Sequence, residues 1–210
     1  MEGKVTVKPG TLLAPIPAVM VSCGDESEKN IITIAWTGIV NSEPPMTYIS
    51  VRPIRHSYDI IKRSGEFVIN LVSEELTYAM DHCGCVSGSK EDKFAEMHLT
   101  ALKGEAVSCP LIAEAPINLE CRVVEEKALP SHTLFLAEIV AVHCNEDLMD
   151  EKGRLAFENA KLVSYIHGEY YGQQKKELGR MGYSVMRPKT IRKKKAEGSF
   201  QSGKGPHFSK

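Results

Sequence analysis

Apolar residues along this chain recur mostly with a period of two. Residues 117–124 place Ile117, Leu119, Cys121 and Val123 on one side and Asn118, Glu120 and Arg122 on the other, the alternation of a half-buried strand. A second long β run covers Thr133 to Val142, with Leu134, Leu136 and Glu138 on one face. Stretches 17–23, 31–40, 46–52, 66–71 and 161–166 are rich in Val, Ile, Thr or Tyr and read as further strands. Helical spacing is rarer. After Ser73, the acids Glu74 and Glu75 suit a first turn; Leu76, Ala79, Met80 and Cys83 follow at helical spacing, and Gly84 is placed to close the helix. A second helix is predicted over 57–64, with Lys62 and Arg63 in its last turn and Gly65 as its stop. A third starts at Ser89-Lys-Glu-Asp92 like a capping box and carries Phe94 and Met97. Many strands with three short helices between them predict a mainly β, barrel-like core with helical decoration; the rhythm of a doubly wound sheet is missing.

Composition bounds the rest. The 210 residues are 42% hydrophobic and 25% charged, enough for one domain with its own core and no need of metal or disulfide staples. No apolar run approaches the roughly 18–20 residues of a membrane span. Leu12 to Cys23 is apolar, but Glu2 follows Met1 and Pro15 and Pro17 interrupt the run. It reads as the approach to a strand rather than a secretory leader, and the expected setting is cytoplasmic. The formal net charge of −1 is unevenly spread: residues 187–210 hold eight Lys/Arg against Glu197 alone, so the remainder is acidic. The division expected is a barrel domain over 1–186 and a basic, flexible tail over 187–210. Nucleic acid is an unfavoured partner, because only Phe200 and Phe208 in the tail could stack on bases and the acidic body repels phosphates.

The six cysteines (23, 83, 85, 109, 121 and 144) contain no C-x-x-C pair. The group Asp81-His82-Cys83-Gly84-Cys85 lacks a second ligand pair at workable spacing, so reduced thiols and no metal are expected. There is no G-x-G-x-x-G, G-x-S-x-G or H-E-x-x-H. The run Gly198 to Lys204 imitates a phosphate-binding loop but has Gly205 where Ser or Thr should follow.

Chemistry concentrates in residues 30–71, which read as strand, turn, strand, helix, strand, the turn being Asn41-Ser42-Glu43-Pro44-Pro45. Pro53 ends the second strand, and Arg52, Arg55 and His56 precede Ser57 where a helix should begin. Two readings fit. One is a helix capped by Ser57 with two exposed arginines. The other is an anion site, in which free helix N–H groups, a hydroxyl and two guanidinium groups converge on a phosphate.

This segment resembles the flavin reductase-like, FMN-binding split-barrel family, which includes flavoredoxin and other NAD(P)H:flavin oxidoreductases. The matching pieces are Pro15-x-Pro17, Asn30 to Trp36-Thr37-Gly38, Ser42-x-Pro44-Pro45, Val51-Arg52-Pro53-x-Arg55-x-Ser57 and Gly65-Glu66-Phe67-Val68-x-Asn70. Another is Cys83-Gly84-x-x-Ser87-Gly88-x-x-x-Asp92-Lys93-Phe94. Their order and spacing carry the likeness over most of residues 12–170. Ser57 departs from the threonine common at that position.

The resemblance implies a six-stranded antiparallel Greek-key barrel that forms a homodimer, with FMN near the interface and FAD the less favoured flavin. Trp36, Thr37 and Gly38 would line the ring; Asn41, Ser42 and Arg52 would lie toward the ribityl chain and phosphate; Arg55 and Ser57 would bind the phosphate. Ser87, Lys90 and Lys93 would complete the anion pocket, and His167 would approach the flavin. The implied activity is hydride transfer from NAD(P)H to flavin N5, with electrons passed on to an acceptor or a redox partner protein. The alternatives are a flavoredoxin-type electron carrier with little NAD(P)H activity and a non-catalytic flavin- or nucleic-acid-binding module on the same barrel.

Overall fold

In a computed structural model of the chain, which describes residues 3–173 and 185, fifteen strands and α-helices follow one another. They are β1 (Ile16–Pro17), β2 (Val19–Gly24), β3 (Lys29–Ile34), β4 (Thr37–Ser42), β5 (Pro45–Val51), α1 (His56–Ser64), β6 (Glu66–Leu71), α2 (Thr77–Cys85) and α3 (Lys93–Glu96). Then come β7 (Ala101–Leu102), β8 (Leu111–Ile112), β9 (Ile117–Ala128), β10 (Thr133–Cys144), β11 (Val163–Ile166) and β12 (Glu169–Gly172). The basic segment 187–210 lies outside the described residues, as does the boundary expected at 186.

Seven strands form one antiparallel sheet in the order β3-β2-β6-β9-β10-β5-β4. The two edge strands, β3 and β4, are joined by Ala35 and Trp36 alone, so the sheet curls round until its edges meet. Register shifts in the β9–β10 pair, between Leu136 and Ala137 and between Ile139 and Ala141, supply bends that help it curl. One cluster fills the interior: Val19, Val21 and Cys23 from β2, Ile32 and Ile34 from β3, Ile49 and Val51 from β5, Phe67 and Ile69 from β6, Cys121 from β9, and Phe135 and Ala137 from β10.

The strand count therefore differs from expectation. Six strands supply the barrel interior, but the sheet has a seventh, β4, which adds nothing to that cluster and leaves Ile39 and Val40 exposed. The predicted strand 31–40 is two strands, broken where the chain crosses from one edge of the sheet to the other. Burial on β10 also runs opposite to the Leu134–Leu136 face: Thr133, Phe135 and Ala137 are buried, while the two leucines are half-buried. On β9, Asn118 and Glu120 are buried along with their apolar neighbours, because segment 104–112 covers the outer face there.

The helix α1 follows the expected pattern. Ser57, Ile60 and Ile61 face inward, and Gly65 takes the left-handed conformation (φ 67°) that lets its N–H reach the Ile61 carbonyl at 2.8 Å. For α2 the expected stop fails. The helix runs through Gly84 to Cys85, with Val86 extended beyond it, and Gly84 is needed for close approach: a Cβ there would meet Cβ of Thr33 at 3.0 Å. A second core lies between the barrel and the helices, with Met20, Ile31, Met80, Cys83, Phe94 and Val163 among its members. The small sheet β1-β11-β12 flanks it. All six cysteines are free thiols, four of them buried. Among the described residues no helix is long and apolar enough to cross a membrane.

Candidate functional site

The turn after β5 builds the first half of the site. Pro53 ends the strand, and the Arg55 N–H bonds back to the Arg52 carbonyl at 3.0 Å. Arg55, not Ser57, stands at the N-cap of α1, and its side chain makes no capping bond. Ser57 lies within the first turn, 1% exposed, where its hydroxyl accepts a hydrogen bond from Asn30 Nδ2 at 2.8 Å. Among the described residues, the backbone N–H groups of His56 and Ser57 have no acceptor, as expected at a helix start. No carboxylate pairs with Arg52 or Arg55 there either.

The second half comes from the segment after α2. Asp92 caps α3, accepting from the N–H groups of Phe94 (2.9 Å) and Ala95 (3.3 Å), where a cap at Ser89 was expected. This cap turns Lys93 inward. It is 3% exposed, and its Nζ donates to the carbonyls of Ile31 (2.8 Å) and Cys83 (2.6 Å), leaving one of its three N–H bonds uncommitted. Burial pushes the Lys93 ammonium below its ordinary value, and the charge of Arg55 acts in the same direction against Cys83 and Glu91. Two cations held together in this way fit an anion.

These groups line a cavity of about 110 Å³ that includes Asn30, Arg55, Ser57, Ser87, Gly88 and Lys93. A cleft of about 200 Å³ adjoins it, walled by residues 32–36 of β3 and its exit, Ser50, Arg52, Arg55, His132 and Tyr165. Ile32 and Arg55 line both, so an anion corner opens into a longer slot beside a strand. Size alone does not mark the site. Two hollows of about 650 Å³ flank the β2–β3 turn, but carboxylates line both (Asp25 and Glu26; Asp25, Glu28 and Glu66), and Arg63 in the second is already paired with Glu28.

Of the residues expected from sequence, Trp36, Arg52, Arg55, Ser57, Ser87 and Lys93 line this composite groove. Thr37 and Gly38 continue from Trp36 along β4; the Thr37 hydroxyl donates to the Tyr48 carbonyl at 2.6 Å and the Gly38 carbonyl accepts from Thr47 at 2.9 Å. Asn41 and Ser42 are exposed at the β4–β5 hairpin, and Asn41 Nδ2 is spent on the Pro44 carbonyl at 2.8 Å. Lys90 is exposed on the 87–90 turn and lines neither cavity. His167 stands exposed on the β11–β12 turn at φ 47°, two residues beyond Tyr165, and also lines neither.

Three further residues belong to the groove. Asn30 orients Ser57. Tyr165 forms one wall and packs on Tyr170, ring centroids 5.8 Å apart. His132, from the β9–β10 hairpin, lies over Trp36; burial, with the charge of Arg52 added, holds it below the ordinary histidine value, so it is neutral at pH 7. The sequence signal for His132 was the Pro130-Ser131 turn between two long strands, which marks a loop but not its neighbour.

The donor set fits a flavin mononucleotide. Its phosphate carries about two negative charges at pH 7, and the corner offers Arg55, Lys93, Ser57 and the free N–H groups of α1. Gly88 provides a cradle: a Cβ there would collide with the Asn30 side chain.

The family described as "Flavin reductase like domain" matches residues 13–172. An uncharacterized protein of Archaeoglobus fulgidus is 33% identical over 153 residues, covering 73% of this chain and 86% of that one. Among solved structures, flavoredoxin of Desulfovibrio vulgaris superposes with a TM-score of 0.81 at 30% identity, covering 87% of this chain and 100% of its own. Flavoredoxin from Methanosarcina acetivorans gives 0.79 at 26% identity, covering 87% and 99%.

Proposed function

We propose, from the premise that this chain belongs to the flavin reductase-like domain family, that it is an FMN-dependent oxidoreductase drawing hydride from NAD(P)H. The observation that carries the reading is the meeting of Arg55, Ser57, Lys93 and the α1 N-terminus in a small corner that opens into the Trp36–His132 cleft.

When bound, FMN supplies a ring that accepts a hydride and passes electrons onward. The protein's part is binding and orientation. Arg55 and Lys93 would hold the phosphate by charge-assisted hydrogen bonds, and Ser57, which accepts from Asn30, would donate its proton to it. Arg52 and the β3 exit through Trp36 would flank the rest of the flavin. The corner's small size suits a terminal phosphomonoester better than the pyrophosphate of FAD. The cleft stays open beside Trp36, which is 41% exposed, so a dihydronicotinamide can approach without a nucleotide-binding domain of its own. Ile39 and Val40 on the edge strand β4 are 70% and 51% exposed, and a second copy covering them would form the homodimer. In this reading the protein is cytoplasmic, the barrel domain ends near 186, and the basic tail is an accessory to it.

A second reading, an electron carrier reduced by another protein, is supported by the likeness to two flavoredoxins. Anaerobic mixing of the FMN-loaded protein with NADH and with NADPH separates the two. Rapid bleaching of the flavin band by either nucleotide supports the reductase. Stable FMN retention without bleaching supports the carrier. Failure to take up FMN removes both.

A further inference from the structure

Asn30 is a buried polar side chain at the start of β3, 4% exposed. Its Nδ2 donates to Ser57 Oγ at 2.8 Å. Its outer side is covered by Gly88, so closely that any Cβ at that position would lie inside the Asn30 amide. One amide thus bridges three separate elements: β3, the first turn of α1 and the loop that follows α2. All three contribute to the lining of the anion corner.

The direction of the hydrogen bond matters. A hydroxyl that accepts from an amide keeps its own proton to donate; the Cys23 sulfur beside Ser57 is a weak acceptor and a phosphate oxygen a strong one. An aspartate at the same place would reverse the arrangement, because a carboxylate can only accept and would draw the Ser57 proton inward. It would also set a negative charge against the incoming phosphate.

Resting on the reading of this corner as a phosphate site, we infer that Asn30 is a positioning residue that aims the Ser57 hydroxyl at the phosphomonoester, and that Gly88 is glycine so that Asn30 can stay in place. Together they sharpen the corner's preference for FMN over riboflavin, which has the same ring and no phosphate. Arg55 and Lys93 supply the charge behind that preference, and Asn30 adds to it through Ser57 without touching the ligand's ring.

The test is the FMN-to-riboflavin affinity ratio of the full-length chain stripped of flavin, measured by fluorescence titration for the unaltered protein, Asn30→Asp and Gly88→Ala. The unaltered chain should prefer FMN by on the order of a hundredfold, the size expected for charge-assisted contacts. Asn30→Asp should lower FMN affinity by roughly tenfold or more, leaving riboflavin affinity within about twofold. Gly88→Ala, on a half-buried loop, should shift the ratio in the same direction and guards against a folding defect in the first variant. Retained riboflavin binding reports that each variant is folded. An unchanged ratio in both variants would overturn the inference while the phosphate site stands. Equal loss of both ligands would also overturn it, since that marks a merely structural asparagine. If the unaltered chain binds riboflavin as well as FMN, or binds neither, the phosphate site itself falls.

Discussion

The imidazole of His132 lies against the indole of Trp36, ring centroids 4.5 Å apart and planes 39° from parallel. The contact ties the tip of the β9–β10 hairpin to the link between β3 and β4, where the barrel's edges meet. It also places a neutral, titratable ring beside Arg52 at the mouth of the cleft.

That placement gives a pH dependence with a defined sign. The unfolded chain protonates this histidine near its ordinary value of 6.5, and the folded chain only at lower pH. In that window the unfolded state binds more protons, so stability falls as pH drops through the ordinary histidine range and levels off once the folded form is protonated too. Thermal melts of His132→Asn between about pH 7.5 and 5 should be flatter than those of the unaltered chain. Identical slopes would show that His132 titrates as it does in the unfolded chain.

Glu120 is fully buried, and its carboxylate accepts from the N–H groups of Glu105 (2.8 Å), Ala106 (2.7 Å) and Val107 (2.7 Å) and pairs with His143 at 2.5 Å. Burial alone would raise its pKa, but these donors outweigh it and hold the group below the ordinary carboxylate value. Its contribution is present above that value and is lost as pH falls through the lower folded one. Glu120→Gln should cost roughly 2–4 kcal/mol in urea unfolding near pH 7, with a smaller difference under acid conditions. A cost below about 0.5 kcal/mol would mean the 104–107 segment does not depend on this anion.

Arg55 and Lys90 lie close in sequence to the same corner but have different surroundings. Arg55 lines it without a carboxylate partner among the described residues; Lys90 is exposed and does not line it. Arg55→Ala should weaken FMN binding by roughly ten- to a hundredfold, the range for losing a charge-assisted contact to phosphate, while Lys90→Ala should leave it within about twofold. Calorimetric titration reads both, and equal effects would contradict the assigned geometry.

The exposed strand β4 predicts association. Ile39→Asp should convert a dimer into a monomer in sedimentation velocity, because a buried unpaired charge costs several kcal/mol at an interface. A monomeric unaltered chain would contradict the dimer, and a dimer indifferent to the change would place its interface elsewhere.

Much of this was legible along the chain because it is local. Arg52, Arg55 and Ser57 fall within one turn, and Gly65 marks the end of α1 by its φ alone. What could not be read depends on partners far away in sequence. Ser57 looks like an N-cap until Asn30 is seen to hold its hydroxyl. Glu120 looks solvent-facing by alternation, and only the 104–107 segment buries it. Lys93 and Lys90 are three residues apart, and the Asp92 cap decides which of them turns inward. Asn41 carries a free-looking amide that its own hairpin consumes. The predicted strand 31–40 ran β4 together with β3, because nothing in that apolar run marks the crossing at Ala35 and Trp36.

The most direct measurement is a crystal structure of the protein grown or soaked with FMN. The account predicts the phosphate between Arg55, Ser57 and Lys93, with the ring lying along the β3 exit beside Trp36 and Arg52. A flavin bound in one of the hollows by the β2–β3 turn, or a phosphate left in solvent while Arg55 and Lys93 engage other groups, would contradict it.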